Sequence, residues 1–435
     1  MTSFPPMPLL PITSPSTITA CRDFPLRPSD IFICSYPKSG TTWTQHIVLT
    51  LLLADRKHKV AAASKDDNSD HDDDDLSYNH VSDYAPFFDI DAHWQLSSNT
   101  KVLAESVQRN HDRLGRRVFN THLRWDMLPK RKEGDCSMQQ RDDGDDSNGE
   151  RPECGKFIYI TRNQIDVVAS FYHHLSNQKE GTYNDTFKTF FHDWMEGKIP
   201  FGSSLDHLVS FACGFADNCY DTVSSSVHSN SDSSAIDQPL LLLSYEQMKS
   251  NLRTQVLRII SFLNLTHIPL HVLDEEILPS FEFTTMKSNI EKFQPKSVGW
   301  LNGFQFLRRG VTGDGKKLLN EAGQSSELMS AYDNWVEREE YSSKIENVLE
   351  VKMRARSENS NLSVHAIAGT HVVILGLDLK LESDVNGESS LALSDMLSGL
   401  TMADDTNGTM TSSSRGVFVG FAVDRLDMSS GKYIS

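Results

Sequence analysis

A lysine, a glycine and three hydroxyls stand together at Lys38-Ser39-Gly40-Thr41-Thr42. The apolar run Asp30-Ile31-Phe32-Ile33-Cys34-Ser35-Tyr36 before them reads as a buried strand. Trp43 to Ala54 after them reads as a helix too apolar for a surface position. A turn from a strand into a helix N-terminus aims free backbone N–H groups at an anion, and the helix dipole favours negative charge there. Gly40 allows close backbone approach, Lys38 supplies a point charge, and Ser39, Thr41 and Thr42 add hydroxyl donors. The run is not the triphosphate loop of P-loop enzymes, because Lys38 precedes the glycine. On its own it is also compatible with an ordinary strand–helix turn.

A second anion site can be built from Arg162 and Ser170. Arg162 follows the apolar run Phe157-Ile158-Tyr159-Ile160, and Ser170 lies in a helix that carries Ile165, Val168, Ala169 and Tyr172 at helical spacing. A guanidinium fork and a hydroxyl so placed can meet at one oxyanion. A surface arginine and an unrelated helix serine remain the plainer reading of that pair. Arg308-Arg309-Gly310 is a further basic loop, weak when taken alone.

These groups need a scaffold. Besides 31–36 and 157–160, Val118 to Thr121 and Leu240 to Leu243 are short apolar strand candidates. Helical patterns cover 184–197, with Phe187, Phe190, Phe191 and Trp194, and 246–264. Short apolar strands alternating with helices predict an α/β fold, a mostly parallel central sheet with helices on both faces. Residues 1–26 read as an irregular arm, and 27–355 as the domain. Polar low-complexity inserts fall near 55–80, 131–154 and 221–238, and 356–435 is an extension whose two apolar bursts, Val372–Leu377 and Val417–Val423, could pair as strands or belong to a disordered tail.

The balance of 59 acidic against 42 basic residues gives a net charge of −17, which argues against a nucleic-acid partner. Much of the acid lies in runs at 66–75 and 142–150, and screening leaves room for a basic pocket elsewhere. The six cysteines are scattered without a CxxC pair, which suits a reduced compartment. The N-terminus lacks the pattern of a signal sequence, and the longest apolar run, Ile47 to Ala54, is too short to span a bilayer. The expectation is a soluble cytoplasmic chain with no membrane partner.

Ser35-Tyr36-Pro37-Lys38-Ser39-Gly40-Thr41-Thr42-Trp43 resembles the 5′-phosphosulfate loop of the cytosolic sulfotransferases, whose YPKSGTTW stands here unchanged. Arg162-Asn163, Asp166, Ser170 and His173 resemble that family's 3′-phosphate motif. Phe306-Leu307-Arg308-Arg309-Gly310 through Gly313-Asp314-Gly315-Lys316 resembles its F-x-R-K-G-x-x-G-D-W-K. The resemblance spans roughly residues 24–340. It implies a P-loop-like sulfotransferase fold and an enzyme that uses 3′-phosphoadenosine-5′-phosphosulfate (PAPS) as co-substrate, without a metal.

The same resemblance distributes the roles. Lys38, Ser39, Gly40, Thr41 and Thr42 would hold the 5′-phosphosulfate, and Arg162, Ser170, Arg308, Arg309 and Gly310 the 3′-phosphate. Trp43, Tyr245 and Phe283 fall on the adenine contacts. Asn120-Thr121-His122-Leu123 resembles the family's K-T-H-L, which puts His122 on the catalytic base; imidazole suits that task because it titrates near working pH. Lys38 would stabilise the leaving phosphate. Ala85-Pro86-Phe87-Phe88-Asp89 resembles V-P-F-L-E and puts Phe87 in the acceptor pocket.

The sequence departs from the family in places. Asn120 replaces a lysine, so charge stabilisation at the reacting group is missing or supplied elsewhere. Arg309 keeps a lysine's charge. Gly315 replaces a tryptophan and is expected to loosen the loop over the nucleotide. The family's dimer motif after the GDWK segment is not in place at 316–325, which favours a monomer. The acceptor is expected to be a small phenol, alcohol or amine. Asn120 and Gly315 also fit a weak relative kept for nucleotide binding. A nucleoside kinase with an altered loop would need a magnesium signature that the chain does not display.

Overall fold

The computed structural model describes residues 4–63, 77–97, 101–130, 155–179, 181–212, 240–301, 303–321 and 325–336, a few single positions beside them, and three strands of the tail. The chain divides into two compact units, Met1–Tyr341 and Ser342–Ser435. The inserts predicted at 131–154 and 221–238 lie outside the described residues.

In the first unit four strands form a parallel sheet in the order β4-β1-β5-β6. They are β1 (Ile31–Cys34), β4 (Val118–Thr121), β5 (Lys156–Thr161) and β6 (Leu240–Ser244); β2 (Trp94–Leu96) and β3 (Lys101–Leu103) make a separate antiparallel pair. The helices are α1 (Pro15–Arg22), α2 (Thr41–Ala63), α3 (Glu105–Leu114), α4 (Gln164–Leu175), α5 (Phe187–Met195), α6 (204–212), α7 (Tyr245–Ser250) and α8 (Leu252–Leu263). Shorter helical pieces follow, among them Phe283–Ser288, Asp314–Glu321 and Ser325–Val336.

Alternation of side chains along each strand separates two buried layers. Phe32, Phe119 and Phe157 stack across β1, β4 and β5, with centroids 5.1 Å apart on both sides of Phe32. Ile31, Ile33, Val118, Ile158 and Ile160 belong to the opposite layer, where Ile47, Val48 and Leu51 of α2 and Val256, Ile259 and Leu263 of α8 cover them. Buried on both faces, the strands read as continuous apolar runs, as the sequence shows.

Asp30, fully buried, fixes the entrance to β1. It accepts from the Arg27 N–H at 2.7 Å and pairs with Arg117, whose Nε lies 2.6 Å from Oδ1 at the start of β4. Such an ion pair is expensive to desolvate, so its main effect here is to set the register of two strand starts.

Three expectations need correction. Residues 1–26 are not all irregular: α1 forms because Pro15 occupies the first helical position and Ser14 Oγ caps the Thr17 N–H at 3.2 Å. Ile18, Ala20 and Cys21 of α1 are buried. The stretch 55–80 is not wholly an insert, because α2 continues to Ala63 and Tyr78 and His80 are buried again. The helix expected over 246–264 is broken at Asn251, which separates α7 from α8.

In the second unit the strands β7 (Leu362–His365), β8 (Val372–Leu379) and β9 (Gly416–Ala422) pair antiparallel in that order. The two apolar bursts of the tail are therefore strands that pair with each other, and they form their own sheet rather than extending the parallel one.

Candidate active site

Every strand of the parallel sheet delivers a site residue just beyond its C-terminal end. Lys38 follows β1, His122 follows β4, Arg162 follows β5 and Tyr245 follows β6. This is the edge at which ligands bind in open α/β sheets, in the crevice where the strand order reverses. There the chain encloses a cavity of about 980 Å3.

The loop between β1 and α2 has an unusual backbone. Lys38 holds φ +70° and Gly40 φ +111°. A Cβ on Gly40 would lie 2.9 Å from the Tyr245 ring, so only glycine fits. The turn brings the first N–H groups of α2, at Thr41, Thr42 and Trp43, to the cavity without intrahelical acceptors. Ser39 is buried, and Thr41 Oγ1 shares a hydrogen bond with Ser35 Oγ.

Arg162 ties the basic groups together. Its Nη1 donates to the Lys38 carbonyl at 3.0 Å, its Nη2 to the Val311 carbonyl at 3.2 Å, and its guanidinium lies 4.4 Å over the Tyr245 ring. Its Nε is buried with no hydrogen-bond partner among the described residues. Arg308 and Arg309 both pair with the one carboxylate of Asp314. Lys38, Arg162, Arg308 and Arg309 thus line the cavity with Asp314, while the buried Asp166 stands 3.9 Å behind Arg162. The excess of cations, the unpaired Nε and the glycine cradle fit a ligand with more than one phosphate or sulfate.

The Gly315 expectation is overturned. Asp166 accepts from the Gly313 and Gly315 N–H groups, both at 2.8 Å, and clamps the loop onto the first turn of α4. A Cβ at Gly315 would come 2.1 Å from the Ile165 carbonyl oxygen. The glycine permits a closer approach than any other residue, so the loop is tied down rather than loosened. At Gly310, φ is +63° and a Cβ would come 2.2 Å from the Phe283 ring.

The aromatic groups named from the sequence gather at the same cavity. Trp43, Tyr245 and Phe283 all line it. Trp43 Nε1 donates to the Phe281 carbonyl at 2.9 Å, and its ring meets Tyr245 edge-on with centroids 5.6 Å apart. Ser170 lines the cavity as well.

His122 sits across from this basic cluster. Its Nδ1 donates to the Ser35 carbonyl at 2.7 Å, and its own carbonyl accepts from His207 Nε2 at 3.1 Å. Its N–H donates to Asp89 Oδ2 at 3.2 Å. Phe87 and Phe201 flank the ring at 5.2 and 5.1 Å. Burial pushes its pKa down to about 4; the Ser35 carbonyl works against that shift and Lys38 adds to it. Lys38 is likewise pushed down to about 7 by burial, aided by the charges of Arg162 and Arg308. Burial also lifts Asp89 to about 7, against its hydrogen bonds from Thr121 and His122.

The sequence did not point to several groups. His174 Nδ1 lies 3.3 Å from Lys38 Nζ, and Phe306 lies 4.2 Å beneath that ammonium. His207 supports His122 from behind and bonds to the Tyr159 hydroxyl at 3.0 Å. Leu10 and Ile12, from the segment read as an irregular arm, form part of the cavity wall with Phe201. His174 and Phe306 left a trace in the sequence, as the residue next to His173 in one motif and the first residue of another.

Asn120 lines the cavity near His122 but brings no charge to it. Its Nδ2 donates to the Ala85 carbonyl at 2.9 Å.

The chain matches the family described as the sulfotransferase domain over residues 28–138 and 151–340. It is 26% identical over 302 residues to sulfotransferase 1E1 of Rattus norvegicus, covering 69% of this chain and 81% of that protein. It is 27% identical over 329 residues to luciferin sulfotransferase of Photinus pyralis, covering 73% of each. The mouse sulfotransferase SULT7A1 complexed with PAP aligns at 20% identity over 77% of this chain and 95% of that one, with a TM-score of 0.44.

Proposed function

The chain belongs to the sulfotransferase family, and from that premise we propose that it moves a sulfuryl group from PAPS to a hydroxyl or amine of a small acceptor. His122 serves as general base and Lys38 stabilises the leaving phosphate. The observation that carries this reading is the hydrogen bond from His122 Nδ1 to the Ser35 carbonyl. It places the imidazole proton on Nδ1 and leaves Nε2 with a lone pair, at a ring that lines the same cavity as Lys38.

In this mechanism the acceptor oxygen attacks sulfur, and its proton passes to His122 Nε2. The bond between sulfur and the bridging oxygen breaks, and that oxygen leaves on the 5′-phosphate of 3′,5′-adenosine bisphosphate (PAP). Lys38 faces the charge that grows there. Arg162, Ser170, Arg308, Arg309 and Gly310 hold the 3′-phosphate, and Asp314 releases its two arginines to do so. The loop of Ser39, Gly40, Thr41 and Thr42 holds the 5′ end, and Trp43, Tyr245 and Phe283 pack around the adenine.

Phe87, Ile90, Phe201, Leu10 and Ile12 give the acceptor end of the cavity an apolar wall. That wall suits a phenol, an alcohol or a lipid-like molecule more than a carbohydrate. Incubation with PAPS and a panel of phenols, alcohols and amines, followed by mass spectrometry, tests the reading. One acceptor gaining the mass of a sulfuryl group supports it. PAP binding with no product from any acceptor would favour a nucleotide-binding relative.

A further inference from the structure

A second imidazole stands beside the reacting groups. His174 lies one turn beyond Ser170 on α4, so the two share a helix face, and both line the cavity. Lys38 Nζ donates to His174 Nδ1 at 3.3 Å. The ring is held edge-on to Trp300 at 5.1 Å and Phe306 at 6.0 Å. Burial, reinforced by Lys38 and His122, keeps the ring neutral by pushing its pKa well below the usual imidazole range. A neutral imidazole that accepts at Nδ1 carries its proton on Nε2. That Nε2 has no hydrogen-bond partner among the described residues, and the ring is partly exposed where it borders the cavity.

The sequence left one task open. The resembled motif carries a lysine two residues before the base. Here the uncharged Asn120 stands in its place, with one amide hydrogen donated to the Ala85 carbonyl. The cationic donor that a lysine would supply is missing at that position, and His174 has an N–H to give.

Resting on the sulfotransferase reading above, we propose that the His174 Nε2–H donates to a non-bridging oxygen of the sulfuryl group and orients it between Lys38 and His122. His174 thereby takes over the role left empty at Asn120. No further bond is made or broken: the neutral ring holds the group during transfer and keeps its proton.

The test compares PAP, which lacks the sulfuryl group, with PAPS in the absence of acceptor, by titration calorimetry. His174→Phe fills the ring's volume without a donor, and His174→Gln restores an N–H. In the Phe variant PAP affinity should stay unchanged, while PAPS affinity falls about tenfold to a hundredfold, the scale of a hydrogen bond to a charged group. The Gln variant should recover most of the loss. The Phe substitution should weaken PAPS again in a Lys38→Met background, because the contact is direct. Equal weakening of both nucleotides, no weakening of PAPS, or an effect that vanishes in the Lys38→Met background would overturn the proposal. A wild-type chain that bound neither nucleotide would instead overturn the reading of the whole site.

Discussion

His122 gives its Nδ1 proton to the Ser35 carbonyl across 2.7 Å, so the end of β1 fixes the tautomer of the residue that follows β4. Burial pushes the same imidazole down to about 4. Protonation of Nε2 removes the base, so activity is lost only as pH falls through that low value. The profile of kcat/KM against pH should therefore show no acid limb between pH 6.5 and 5. An acid limb centred near 6.5 would show a base with an ordinary imidazole pKa and contradict the assignment.

Burial lowers several imidazoles of the described structure in the same way: His46, His111 and His122 to about 4, His207 to about 3, and His174 well below the usual range. Between their folded values and the unfolded value near 6.5, the unfolded chain binds more protons. Stability should thus fall as pH drops below about 6.5. Urea midpoints measured from pH 7.5 to 5 should decline steadily, and a midpoint that stayed level across that range would contradict the burial of these groups.

Lys38 is pushed down to about 7 by burial among Arg162 and Arg308. Phosphate oxygens bound beside it favour the ammonium. PAP binding at pH 8 should therefore take up a proton, visible as a binding enthalpy that depends on the buffer's ionisation enthalpy. Lys38→Met should abolish that dependence. An equal proton uptake in the variant would assign it to another group.

Gly315 is where this chain departs most visibly from the motif it resembles, and the structure reverses the intuitive repair. A Cβ there would meet the Ile165 carbonyl at 2.1 Å. Gly315→Ala, and still more Gly315→Trp, should destabilise the fold by about 1–3 kcal/mol, the usual cost of overpacking. Both should weaken PAP binding through the Arg308–Arg309 loop. A tryptophan variant with a raised melting temperature and tighter PAP binding would show that the loop adopts another path.

All the assigned site residues lie within the unit Met1–Tyr341. Removing residues 342–435 should leave PAP affinity within about twofold, because no assigned site residue is removed. A truncated chain that folds by circular dichroism but no longer binds PAP would contradict this.

The sequence made the sheet and the nucleotide cradle readable because both depend on local patterns. Buried parallel strands are short apolar runs, and a phosphate loop needs Lys38, Gly40 and the hydroxyls in one contiguous turn. Where long-range contact decides, the pattern was mute. The prolines of the first residues suggested an irregular arm, yet Pro15 starts a helix and Leu10 and Ile12 reach the cavity. Gly315 read as a lost packing surface, because the carbonyl it approaches belongs to a helix far away in the sequence. His174 was one histidine among 16 until the fold placed it against Lys38.

The central claim is that His122 and Lys38 divide the chemistry, and paired kinetics and calorimetry on His122→Ala and Lys38→Ala test it most directly. His122→Ala should lower kcat about 10²–10⁴-fold, the scale of a positioned general base, with PAP affinity nearly unchanged. Lys38→Ala should lower kcat and also weaken PAP, because its charge already serves the bound nucleotide. A His122→Ala enzyme that kept full turnover on a phenolic or alcoholic acceptor would contradict the account.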